Sequence, residues 1–306
     1  MKKILRENRI LIFLLFIFAL EAILFSAGNT KIEEQIRLEE RKYEILEKKL
    51  SKLELVAKAV SVNNLTTGRK LYGVNETSPM PLASLVKTMT AIVALDNYGE
   101  ESVISLNAEA IKQNGDFGLF ANEKWKITDL IKLTLTSSAN DGAFMLALKD
   151  QDFLNKMNTK AKRLGMNSTT FYNPTGLDIK ENETELLDVP TLEGQAGAYG
   201  SAEDMNTLAN YALTSYPEIF KATTVPELEL KSESGFIHKV LNTNVIINKI
   251  PNIIFSKTGF TEITGGNLSV VFEDKEGDKI AVTVLGSTID DRFVDMEKIV
   301  KVLYNK

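Results

Sequence analysis

Three short clusters in this chain combine side chains able to do nucleophilic chemistry. The first is Ser84-Leu85-Val86-Lys87. A serine hydroxyl needs a base within hydrogen-bond reach to become a nucleophile, and a lysine serves once desolvation or a neighbouring cation lowers its pKa. Ser84 falls at the start of an apolar helix, and Lys87, three residues on, shares its face. A serine cap beside a chance lysine reads the same residues, because S-x-x-K arises about once by chance in a chain of this length. The second cluster is Ser138-Ala139-Asn140. Its hydroxyl and amide could relay a proton and hold a peptide carbonyl, or make a polar turn between helices, and Ser61-Val62-Asn63 fits the same pattern. The third is Lys257-Thr258-Gly259, followed by Phe260 and Thr261. A cation and a hydroxyl suit a carboxylate, Gly259 admits a second backbone, and a strand-edge N–H beyond it could serve an oxyanion. A strand end with a solvent-facing lysine is the plainer alternative.

Composition narrows the chemistry further. The 306 residues include no cysteine and one histidine, His238. Disulfides, thiol nucleophiles, and thiolate or multi-histidine metal centres are excluded. His238 stands between strand-like residues, with no G-x-S-x-G segment anywhere, and reads as a structural histidine. With 36 Lys+Arg against 41 Asp+Glu the net charge is −5, and no long basic run points to nucleic acid as a partner. Apolar residues at 44% and charged residues at 25% are ordinary globular values.

The elements that must position these clusters are legible in outline. Ala57–Val62 and Lys70–Val74 flank the turn Thr66–Arg69 as a hairpin. Helical periods follow at 84–96, 127–135, 141–149, 152–164 and 201–214, the last opening on a Ser cap and an acidic first turn. Residues 252–256 read as a strand that ends near Lys257. Residues 267–273 and 279–286 form a second hairpin, and 291–304 a closing helix. The order suggests an antiparallel sheet with helices packed on it, interrupted by a helical lobe. Trp125, Phe117 and Phe120 could line a cleft, although core packing is the default for such residues.

The amino terminus differs in texture. Lys2, Lys3, Arg6 and Arg9 precede an apolar run over 10–25 broken only by Glu21. This predicts either a membrane anchor with the rest of the chain outside, or a signal peptide cleaved near Ser26-Ala27-Gly28. Residues 29–55 form a charged helical stalk, with Ile36, Tyr43 and Leu50 at heptad spacing. It would hold the domain at 56–306 away from the membrane and could pair two copies.

S-x-x-K and K-T-G each occur once, with S-x-N between them, a set known from penicillin-binding proteins and class A β-lactamases. Together with 169–178 (TTFYNPTGLD) and 200–209 (GSAEDMNTLA), they make residues 56–304 resemble the serine D-alanyl-D-alanine carboxypeptidases, the low-molecular-mass penicillin-binding proteins. The resemblance implies an α+β, penicillin-recognising serine transpeptidase/β-lactamase-like fold and a peptidoglycan stem peptide ending in D-Ala-D-Ala as substrate. It also implies β-lactam antibiotics as covalent inhibitors, with no metal or organic cofactor. It makes Ser84 the nucleophile, Lys87 its base, Ser138 a proton relay and Asn140 the holder of Lys87 and of the substrate amide. Lys257 and Thr258 would bind the terminal carboxylate at a groove continued by Gly259, Phe260 and Thr261, and the N–H groups of Ser84 and Phe260 would form an oxyanion hole. Asn267 departs from the pattern, standing where a cysteine or small residue is common. The rival readings are a class A-like β-lactamase, whose E-x-x-L-N is only loosely echoed from Glu183 to Leu187, and a non-catalytic envelope protein that binds peptidoglycan or a partner.

Overall fold

A computed structural model of the chain describes residues 33–107, 115–179 and 195–304. It divides into two compact units, the first ending at Lys49 and the second beginning at Leu50. The described part of the first unit belongs to a helix over residues 33–50 (α1), so of the charged segment 29–55 residues 33–50 are helical and 51–55 are not. The apolar run at 10–25 and the Glu183 segment lie outside the described residues. No helix among the described residues is long and apolar enough to cross a membrane.

The second unit opens with the expected hairpin, β1 (Ala59–Asn64) and β2 (Arg69–Val74), then a short β3 (Met80–Pro81). Helix α2 (Lys87–Tyr98), strands β4 (Val103–Ser105) and β5 (Lys124–Lys126), and helices α3 (Ile127–Ser137), α4 (Asn140–Leu148) and α5 (Phe153–Arg163) follow. Next come β6 (Thr170–Phe171), β7 (Ala198–Gly200), α6 (Ala202–Ser215) and α7 (Pro217–Phe220). The hairpin β8 (Glu227–Lys231) and β9 (Ile237–Leu241) precedes β10 (Ile253–Thr261), β11 (Gly265–Glu273), β12 (Lys279–Ser287) and α8 (Asp291–Tyr304). All the expected helices and both expected hairpins form. Ser201 caps α6 as predicted, its hydroxyl accepting from Asp204 N at 3.1 Å.

The main sheet is antiparallel with the order β10-β11-β12-β1-β2, so first and last strands pair at its centre and β10 is an edge. Consecutive side chains of a strand point to opposite faces, and β11 and β12 are buried almost end to end. Helices therefore cover both faces of the sheet. Helix α2 is buried continuously from Lys87 to Leu95. Such all-round burial marks a helix enclosed by others, and α3, α4, α5 and α6 all touch it.

One buried amide joins a helix to the sheet. Asn206 of α6 donates to Ser61 O at 3.2 Å and to Asn63 Oδ1 at 2.6 Å, and its carbonyl accepts from Thr283 Oγ1 at 2.8 Å. Asn206→Ala would remove all three of these bonds to β1 and β12, although Asn63 Oδ1 and Thr283 Oγ1 each keep a second partner in Ser61 and Ser269, at about 1–3 kcal/mol. Chemical denaturation should show a lower midpoint with an unchanged slope, and an unaltered midpoint would contradict the role given to this residue.

Candidate active site

Ser84 sits in a single 3₁₀ turn, Ala83–Val86, that runs straight into α2 at Lys87. The tighter turn places Ser84 just outside the α-helix proper. Ala83 has φ +47°, a left-handed conformation that costs an L-residue about 1–2 kcal/mol. Three neighbours hold this turn. A Cβ on Gly176 would collide with the Ala83 carbonyl. A Cβ on Gly259 of β10 would lie 2.8 Å from Leu82 O and 3.3 Å from Ser84 N, the close backbone approach expected of that glycine. Asn267 of β11 donates to Pro81 O at 2.9 Å and Leu82 O at 3.1 Å, while its carbonyl accepts from Gly286 N at 2.8 Å. The residue that departs from the family pattern thus ties the nucleophile turn to the sheet.

Lys87 is fully buried, and its Nζ lies 2.8 Å from Ser84 Oγ, 2.6 Å from Asn140 Oδ1 and 2.7 Å from Thr175 O. Two of these neighbours are carbonyl oxygens, which can only accept. A neutral amine has two N–H donors and one lone pair. Asn140 and Thr175 take the donors, which turns the lone pair to the Ser84 hydroxyl, the arrangement a general base requires. Burial pushes the Lys87 pKa down to about 7, against an upward pull from the Asp141 carboxylate. Asp141 does not pair with the lysine; its oxygens accept from Phe117 N at 3.0 Å and Gly142 N at 2.8 Å.

The second cluster forms where α3 ends. Ser138 takes the left-handed conformation (φ 60°, ψ 31°) and Ala139 is extended, which starts α4 at Asn140. This break sets Ser138 Oγ 2.8 Å from Lys257 Nζ while Asn140 holds Lys87. Lys257, also buried, lies on β10, which continues through Thr261 and does not end near Ser256 as its apolar run suggested. Its Nζ donates to Thr258 O as well, at 2.8 Å. Burial first, then the charges of Lys87 and Arg292, hold the Lys257 pKa well below the usual lysine range.

The third cluster is more internally bonded than expected. The Thr258 hydroxyl pairs with that of Thr243 at 2.6 Å. The Thr261 hydroxyl lies 2.9 Å from both Asp178 Oδ1 and Thr264 Oγ1, so it braces the turn from β10 to β11. Phe260 follows Gly259, whose backbone comes close to Ser84 N, and its ring is 38% exposed. His238 is structural, its Nε2 2.7 Å from buried Glu123 Oε1. Trp125 is enclosed in the core beside it, while Phe120 stands 52% exposed against Phe236.

The Thr175 carbonyl, Thr243, Asn267 and Arg292 were not found as site residues in the sequence. The first had a partial signal. In Asn173-Pro174-Thr175-Gly176 the asparagine side chain accepts from the N–H groups of Thr175 and Gly176, an Asx turn. That this turn meets Lys87 is a tertiary fact. Away from the site, a cavity of about 590 Å³ is lined by Lys249, Pro251, Val294, Glu297 and Tyr304, none of which is a serine or threonine nucleophile.

Comparison with known proteins agrees with this geometry. Residues 46–288 match the family model described as D-alanyl-D-alanine carboxypeptidase. The chain belongs to that family. It is 26% identical over 269 residues to the D-alanyl-D-alanine carboxypeptidase DacF of Bacillus subtilis, covering 85% of this chain and 65% of the relative. It is 31% identical over 222 residues to a D-alanyl-D-alanine endopeptidase of Pseudomonas aeruginosa, covering 69% and 66%. The chain thus spans just under two-thirds the length of these curated relatives. Penicillin-binding protein D2 of Listeria monocytogenes, solved in its cefotaxime-bound form, superposes with a TM-score of 0.66 at 30% identity, covering 82% of this chain and 98% of that one. The fold is accordingly the α+β, penicillin-binding type that the motifs implied.

Gly259→Ala tests the close approach on which the site depends. The added methyl must displace Leu82 O or the Ser84 turn. Acylation by a β-lactam should fall by on the order of 100-fold, comparable to loss of an oxyanion donor, while far-UV circular dichroism stays native. A variant acylated at the wild-type rate would show that the turn is not held by this contact.

Proposed function

We propose that this chain is a serine D-Ala-D-Ala carboxypeptidase acting on peptidoglycan stem peptides. The observation that carries the reading is the buried Lys87 Nζ held by two carbonyl acceptors 2.8 Å from Ser84 Oγ, which in the neutral amine directs the lone pair at that hydroxyl. Ser84 Oγ attacks the carbonyl of the penultimate D-Ala as its proton passes to Lys87 Nζ. The N–H groups of Ser84 and Phe260 take the negative charge that develops on the oxygen. The C–N bond then breaks, and the departing D-Ala amine receives that proton through Ser138, whose hydroxyl lies 2.8 Å from Lys257 Nζ. Water cleaves the Ser84 ester, returning the serine hydroxyl and a peptide shortened by one D-Ala. Lys257 and the Thr258–Thr243 hydroxyl pair would bind the terminal carboxylate, a cation beside two hydroxyls being suited to it.

The basic flank and apolar run at the amino terminus support export, with the catalytic unit held outside the cell membrane. The endopeptidase name carried by one relative supports a second reading, in which the same acyl-enzyme forms on a cross-linked stem and the leaving amine belongs to another peptide.

Incubation of the full chain with a peptide ending in D-Ala-D-Ala should release free D-Ala. Benzylpenicillin should leave one long-lived mass adduct, and Ser84→Ala should abolish both, a loss on the order of a million-fold. Rapid drug hydrolysis without an adduct would indicate a β-lactamase. Absence of release, adduct and hydrolysis together would indicate a non-catalytic envelope protein.

A further inference from the structure

Arg292 occupies an unusual place for a cation. It is the second residue of α8, where the positive end of the helix dipole disfavours a positive side chain. It is 7% exposed, and no carboxylate among the described residues pairs with it. Its Nε is buried without a hydrogen-bond partner. Burial lowers its pKa only to about 10, which leaves the guanidinium charged at neutral pH. The Asp290 charge and the Phe293 ring, 4.6 Å from the guanidinium, offset this in part, but a buried cation with no ion-pair partner is still costly, and local rules broken in this way tend to mark function.

The one hydrogen bond its guanidinium makes among the described residues goes to the backbone of the edge strand, from Nη1 to Gly259 O at 2.7 Å. That carbonyl belongs to the peptide group whose other end is the N–H of Phe260. In a trans peptide the two point in opposite directions, and none of the described peptides is cis. A donor gripping the oxygen therefore fixes the direction of the N–H. A charged donor also draws electron density toward the oxygen, which makes the N–H a stronger donor in turn. Gly259 is the residue whose backbone meets Ser84.

We propose that Arg292 is a positioning residue for the oxyanion hole: by holding the Gly259 carbonyl it orients and polarises the Gly259–Phe260 peptide, whose N–H faces the charge developing on the substrate. The proposal rests on the acyl-transfer reading above and adds to it a cation that acts through the backbone without touching substrate. It also accounts for why a cation stands at the wrong end of α8.

The test uses the full chain and benzylpenicillin, following the acylation rate and the carbonyl stretch of the Ser84 ester by infrared difference spectroscopy. A strong oxyanion hole lowers that frequency. Arg292→Met should slow acylation about 10- to 100-fold, less than or similar to outright removal of a donor, and shift the ester band to higher wavenumber. KM for a D-Ala-D-Ala peptide should change little while kcat falls, and Arg292→Lys should restore part of both signals. If Arg292→Met does not fold, Arg292→Gln, which keeps a neutral donor, should give the same shifts in smaller measure. An ester band at the wild-type position in a folded neutral variant would overturn the proposal and leave Arg292 a structural role. So would a rise in KM with kcat preserved, which would place the guanidinium on the substrate itself. Failure of wild-type protein to form any ester would be seen before a variant is made and would overturn the acyl-transfer reading.

Discussion

Lys87 and Lys257 are both enclosed by protein, and among the described residues no carboxylate pairs with either. An isolated ammonium in such a place is strongly disfavoured, and the ordinary outcome is that the group sheds its proton. Each lysine also raises the cost of charging the other. The site thereby holds an amine base at neutral pH with no histidine. The terminal carboxylate of a substrate would supply the missing counter-charge beside Lys257 and favour its ammonium form, which in turn would keep Lys87 neutral at the moment Ser84 must be deprotonated. Asp141, whose charge acts on Lys87, is kept from quenching this arrangement because the backbone N–H groups of Phe117, Leu119 and Gly142 occupy its oxygens.

The rest of the fold serves to bring hydroxyls to these two amines without admitting water around them. Helix α2 delivers Lys87 from the middle of the helical lobe, and the edge strand β10 delivers Lys257 from the sheet. Between them the Ser84 turn is held against β10 by Gly259, by Gly176 and by the Asn267 amide. The strained φ at Ala83 and the left-handed Ser138 lie on the two sides of the site. Such conformations persist only where surrounding contacts over-determine them, and here those contacts are the backbones of neighbouring segments. The two serines remain partly accessible while the two lysines are closed off.

The sequence made the actors legible and left much of the staging unreadable. S-x-x-K, S-x-N and K-T-G named six side chains, and three of them hydrogen-bond to the two lysines among them: Ser84 and Asn140 to Lys87 and Ser138 to Lys257, with Thr258 supplying its backbone carbonyl. Helical and strand periods located the elements because each buries a regular face. The extension of β10 through Thr261 was hidden because Lys257, Thr258 and Gly259 interrupt the apolar run, although all three are buried for the sake of the site. The hairpin of β8 and β9 was obscured for a related reason. Its charged residues alternate over short strands, leaving only a modest apolar signal. Thr175, Asn267 and Arg292 act through backbone carbonyls far away in the chain, and no local pattern encodes such a contact.

The account turns on the protonation state of Lys87, which nitrogen-15 NMR of the lysine Nζ groups reports directly. The resonance lost in Lys87→Met identifies the residue. Its titration should be centred at about pH 7, as burial dictates, with the neutral, base-competent fraction rising as pH rises through that value. A Lys87 Nζ that stays protonated up to the ordinary lysine value of about 10.4 would contradict the account, because the lone pair assigned to Ser84 would then not exist at neutral pH.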